Sequence, residues 1–120
     1  MRFAIAALLC TMSSGATAKG RVVRWAHAEA SKAIYKGQCP VRLVFTGTIL
    51  AAGPGEITFV WKRSDGAMGP ARTIHATRRG QAWRVREEWE LSGSTRGWAQ
   101  VWIPAERYGS SPARFHVRCK

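Results

Sequence analysis

From Val41 to the C-terminus the apolar residues fall on every second position, in short runs broken by turn residues. No stretch keeps the i, i+3, i+4 spacing that a helix needs. Val41, Leu43, Phe45 and Ile49 alternate with Arg42, Thr46 and Thr48, and Ile57, Phe59 and Trp61 alternate with Thr58 and Lys62. Trp83, Val85, Trp89 and Leu91 share one phase, followed by Ala99, Val101 and Ile103, then Ala113, Phe115, Val117 and Cys119. A weaker run covers Arg72–Thr77. Gly53-Pro54-Gly55, Ser64-Asp65-Gly66, Arg79-Gly80 and the pair Gly93 and Gly97 read as turns, and Pro104 to Pro112 as a polar connection. Successive side chains of a strand point to opposite faces, so each run has one apolar face that a second layer must cover. About seven such strands in about 100 residues predict an antiparallel β-sandwich. Residues 26–36 admit at most one turn of helix, stopped by Gly37 and Pro40.

The first residues have a different character. Arg2 precedes an apolar run from Phe3 to Cys10, then small polar residues, then Ala16-Thr17-Ala18. These are the charged, apolar and cleavage regions of a secretory leader cut after Ala18. The apolar run falls well short of the roughly 20 residues of a membrane span. The expected division is a removed leader over 1–18, a lead-in over 19–38 with an edge strand around Val22–His27, and a sandwich core over 39–120. The expected location is secreted or periplasmic. Cys10 leaves with the leader, so Cys39 and Cys119 remain, and in an oxidising compartment such a pair reads as a disulfide.

Four segments, YKGQCPVRLVFTGTI, GPGEITFVWKRSDGA, GWAQVWIP and ARFHVRC, together resemble a group of small secreted bacterial domains of immunoglobulin-like or fibronectin-III-like fold. These carry a Tyr-x-Gly-x-Cys-Pro start, an Arg-Ser-Asp-Gly turn and a terminal Phe-x-x-x-Cys. The resemblance runs from Tyr35 to Cys119. It implies an immunoglobulin-like antiparallel β-sandwich of about seven strands with one disulfide, with Trp61 in the core. Cys39 begins a strand and Cys119 stands at the close of the last one, so the bridge is not the inter-sheet one of antibody domains. The resemblance supplies no catalytic residues, and the fold hosts many activities.

The residues themselves give little chemistry for catalysis. Glu87, Glu88 and Glu90 cluster, but neighbours on a strand face opposite ways. Glu87 falls in phase with Trp83, Val85 and Trp89, where a bulge or an ion pair to an arginine is expected to accommodate it. His27, His75 and His116 are dispersed without metal-ligand spacing. No nucleophile motif, phosphate loop or dinucleotide fingerprint occurs. The expectation is a protein that is not an enzyme and has no cofactor or metal.

Charge is the informative property. The chain has 19 Lys and Arg against 7 Asp and Glu, a net +12, or +11 once Arg2 has left with the leader. With such a balance the expected function is a secreted, non-catalytic module that binds a polyanion or a glycan surface. If Ala99, Val101 and Ile103 face the core, Trp98, Gln100 and Trp102 face out. If Phe115, Val117 and Cys119 face in, Arg114, His116 and Arg118 face out. These rows, extended by Lys62, form the candidate site. They read either as a cation–π ladder that stabilises the sheet or as a binding platform, unless Trp98 or Trp102 lies in the core. Arg78, Arg79, Arg84 and Arg86 read as a solvated basic face. The alternative function is a structural, assembly or inhibitor module that recognises a protein partner, through an edge strand or through the Gly93–Gly97 and Tyr108–Pro112 loops.

Overall fold

The computed structural model describes residues 21–120; the leader expected over 1–18, with Cys10 and its cleavage site, lies outside the described residues. Nine strands follow in order: β1 (Val23–Ala30), β2 (Ile34–Gly37), β3 (Val41–Ala51), β4 (Gly55–Arg63), β5 (Arg72–Ala76), β6 (Ala82–Leu91), β7 (Thr95–Ile103), β8 (Tyr108–Gly109) and β9 (Ala113–Cys119). Among the described residues the helical content is one 3-10 turn, Pro104–Glu106. No helix among them is long and apolar enough to cross a membrane. The smaller sheet has the order β1-β3-β6, and the larger β2-β9-β7-β4-β5, with β8 also paired to β7.

The period-2 pattern sets the core. Leu43, Phe45 and Ile49 of β3 face Ile57, Phe59 and Trp61 of β4, Ala99, Val101 and Ile103 of β7, and Phe115 and Val117 of β9, all at most 4% exposed. Phe45 is the hub: its ring centre lies 6.4 Å from Trp61, 6.1 Å from Trp89 and 5.7 Å from Phe115. Gly47 interrupts the apolar face of β3 because no side chain fits there. A β-carbon would sit 2.8 Å from Val101 Cγ2 and 2.9 Å from Val85 Cγ2, closer than carbon atoms approach. Gly47→Ala is therefore expected to destabilise the protein by about 1–3 kcal/mol, read as a lower urea midpoint at unchanged slope.

Four expectations need correction. Residues 26–36 hold no helical turn; β1 and β2 occupy them. The larger sheet is mixed rather than wholly antiparallel, because β2 pairs parallel to β9 in the register Tyr35↔Val117. Glu87 sits in neither a bulge nor an ion pair. The β3–β6 register runs unbroken from Val41↔Leu91 to Leu50↔Ala82, and no ion pair joins Glu87 to an arginine among the described residues. The half-buried carboxylate instead lies over Gly69, with Oε2 3.1 Å from where a β-carbon would stand. Gly97, expected in a turn, lies inside β7.

The sheet edges differ in how they are covered. The Pro104–Pro112 connection folds back along β1. Glu106 accepts hydrogen bonds from the Val22 and Val23 amides at 2.9 and 3.2 Å and pairs with Arg21 at 3.4 Å. The Ala26 amide donates to Tyr108 Oη at 3.3 Å, and His27 bridges to Ser111. The other edge of the smaller sheet, β6, pairs with β3 alone. Cys39, two residues past β2, and Cys119, the last residue of β9, form the disulfide, with Cα atoms 5.5 Å apart.

Candidate basic and aromatic sheet face

Ala99, Val101 and Ile103 are buried, which turns Arg96, Trp98, Gln100 and Trp102 to the outer face of the larger sheet. By the same alternation β9 turns out Arg114, His116 and Arg118. The parallel register of β2 adds Ile34 beside His116 and Lys36 beside Arg118. On the other side of β7, Val60 and Lys62 stand beside Trp102 and Gln100.

The two rows meet with an offset. Trp98 lies opposite Arg114 and Arg96 opposite His116, while Gln100 and Trp102 run past the start of β9. Gln100 donates to the Ser110 carbonyl at 2.9 Å. Trp102 lies beside Gly109 and carries Lys62 Nζ 4.4 Å from its ring centre. In register with it, Val60 is only 7% exposed although its phase points outward. Val60, Trp102 and Lys62 thus make a short stacked ladder, a cation–π contact of about 0.5–1 kcal/mol at such a site.

Trp98 is placed differently. It is half-buried and borders a shallow groove of about 360 Å³ with Ser64, Arg96, Gly97, Arg114 and Phe115. Ser64 shapes this groove, giving its amide to the Trp98 carbonyl and taking the Trp98 amide on Oγ, both at 3.0 Å. Gly97 permits that approach: a β-carbon there would run into Ser64 Oγ and stand 2.9 Å from Phe115 Cζ. Two arginines therefore flank one accessible indole.

The face is basic without compensation. Lys36, Lys62, Arg96, Arg114 and Arg118 take part in no ion pair among the described residues. Six of the seven acidic side chains lie elsewhere: Glu29 by His27, Asp65 by Arg63, Glu106 by Arg21, and Glu87, Glu88 and Glu90 on β6; Glu56 shares the outer face but stands at the far end of β4, beside His75. His116, in the middle of the cluster, shows the result. Desolvation in its half-buried position, then the charges of Arg96, Arg118 and Lys36, hold its pKa below the usual 6.5. No group of His, Cys, Asp and Glu among the described residues is placed to hold a metal ion.

Arg96 and Lys36 belong to the face but were not singled out from the sequence. Arg96 is in phase with Trp98, a signal masked by treating Gly97 as a turn. Lys36 had no signal, because its strand is short and its pairing distant.

No family model matches the chain, and no curated protein matches it. Several solved structures are similar in fold, these two among them. One is the alkylpurine DNA glycosylase AlkC of Pseudomonas fluorescens, bound to DNA containing an abasic site analog, with a TM-score of 0.56 and 18% identity over 83% of this chain. The other is the β-glucosidase EmGH1 of Erythrobacter marinus, with a TM-score of 0.51 and 12% identity over 76% of this chain. The chain spans 31% of the first and 15% of the second. At these identities the likeness is one of fold alone.

Proposed function

We propose that the chain is an exported, immunoglobulin-like, non-catalytic module that binds a polyanion through the outer face of its larger sheet. The observation that carries this reading is the sorting of charge. Lys36, Lys62, Arg96, Arg114 and Arg118 share one face with His116 and Trp98, and among the described residues no carboxylate pairs with them; the acidic side chain on that face, Glu56, lies at the far end of β4 beside His75. A face that served only to stabilise the sheet would gain from acidic partners across the strands, since opposite charges attract and like charges repel there. A polymer of phosphates or sulfates would supply those partners and release its counterions on contact. Trp98, flanked by Arg96 and Arg114, offers a flat apolar surface beside the charges, suited to a sugar ring or a base.

The test compares binding of the disulfide-bonded protein to heparin, duplex DNA and a neutral glycan, with two charge-matched variants. Arg96→Glu with Arg114→Glu is expected to weaken binding to the anionic polymers about tenfold or more. Arg78→Glu with Arg79→Glu, in the turn after β5, changes net charge equally and is expected to cost less than about threefold. Equal losses for the two variants, or binding to the neutral glycan alone, would sink the proposal.

A further inference from the structure

The open edge of the smaller sheet fits a second copy of itself. The Ser31 amide bonds to the Val44 carbonyl and the Ala51 amide to the Gln81 carbonyl. Even-numbered residues of β3 thus aim their backbone groups at β1, and odd-numbered ones at β6. In an antiparallel ladder hydrogen-bonded and non-bonded pairs alternate. With the pairing Val44↔Glu88 and Thr46↔Arg86, the backbone groups of Ala82, Arg84, Arg86, Glu88 and Glu90 therefore point away from the sheet. Among the described residues no strand takes them up.

The side chains of these same residues stand exposed on the outer face, basic in the first half of the strand and acidic in the second. A copy of β6 laid antiparallel about a twofold axis through Glu87 sets Arg84 against Glu90 of the other copy and Arg86 against Glu88, each twice by symmetry. Every outer-face pair in that register is of opposite sign. A shift of two residues either way sets Arg86 on Arg86 or Glu88 on Glu88. Arg84 and Glu90 have no ion-pair partner within one copy among the described residues.

We propose that the protein self-associates through β6 in this register, joining two smaller sheets into one continuous sheet. One contact opposes it. Glu87 meets Glu87 on the inner face, in a non-bonded pair where side chains come closest. An inward carboxylate of this kind is a device that keeps edge strands apart, so the native dimer is weak and Glu87 sets its strength. Arg72 of β5 and Arg86 and Glu88 of β6 line one groove with Glu87, and Arg63 of β4 lies over Trp89, two residues along the same inner face. A twofold axis perpendicular to the joined sheet also points both larger sheets the same way.

Sedimentation equilibrium of the disulfide-bonded protein, from micromolar to millimolar concentration, provides the test. The native protein is expected to show a concentration-dependent monomer–dimer equilibrium, and Glu87→Gln to tighten it about tenfold. Arg84→Glu should weaken the dimer about tenfold, and Arg84→Glu with Glu90→Arg should restore it, because the swap recreates both pairs with signs exchanged. Thermal melts confirm that each variant is folded. A monomer at every concentration in both the native and Glu87→Gln proteins overturns the proposal. So does a dimer that Arg84→Glu leaves unchanged, or one that the swap fails to restore.

Discussion

Reducing the Cys39–Cys119 bridge is expected to lower the free energy of unfolding by about 4.5 kcal/mol on the chain-entropy account. The bridge spans 80 residues, so it removes the extended conformations of nearly the whole described chain from the denatured state. It also secures a weak element. β2 is four residues long, lies at an edge and leaves Ile34 68% exposed, so it buries little apolar surface of its own. Urea unfolding of the oxidised and reduced proteins checks the figure. With a slope of about 1–2 kcal/mol per molar, typical of a domain this size, the midpoint should fall by about 2.3–4.5 M. A fall below about 0.5 M would mean that the reduced denatured chain is already compact, so that the loop has little entropy left to lose.

The second large effect is on binding. If Lys36, Lys62, Arg96, Arg114 and Arg118 all contact phosphates of duplex DNA, log K should fall against log salt with a slope of about −4.5. That is roughly a 500-fold loss between 50 and 200 mM salt. Lys62 is the doubtful member of the set, because its ammonium already sits on Trp102; a slope near −3.6 would mean that the ladder holds it back. A slope near −1 would leave only one phosphate contact and refute a polyanion face. His116 adds a pH arm. Its pKa in the folded protein is depressed, so the unfolded chain takes up this proton first. Stability due to this group falls as pH drops below about 6.5 and levels off once the folded histidine is protonated. Polyanion binding runs the other way, strengthening over the same range as a further positive charge joins the face.

Much of this architecture could be read directly. Strands β3, β4, β6, β7 and β9 announce themselves by alternation, and large side chains such as Phe45, Trp61 and Phe115 fix which phase is inward. The misses have local causes. β1 contains a register shift between Val23 and Trp25, so its inward residues change phase, and two of them are the small Ala26 and Ala28. β2 has four residues, and its parallel partner lies some 80 positions away, so no local pattern reports it. Gly97 looked like a turn because glycine usually marks one, whereas here it makes room for Ser64 and Phe115. Treating it as a boundary detaches Arg96 from Trp98, so the alternation gives no sign that Arg96 joins Trp98 and Arg114. The alternation did show that Trp98 and Trp102 point outward. Only the register could show that one borders a groove and the other lies beneath a lysine.

The separation of charge between the two outer surfaces also bears on how the molecule travels. On the smaller sheet Arg42 and Arg86 are matched by Glu88, with Glu29 and Glu90 nearby, whereas on the larger sheet, among the described residues, Glu56 alone stands against five Lys and Arg. The molecule is therefore an electric dipole as well as a net cation. In the field of an anionic surface it experiences a torque that turns the β2-β9-β7 face forward before contact. Fewer encounters are then spent in unproductive orientations, and that advantage disappears when salt shortens the reach of the field to about 8 Å.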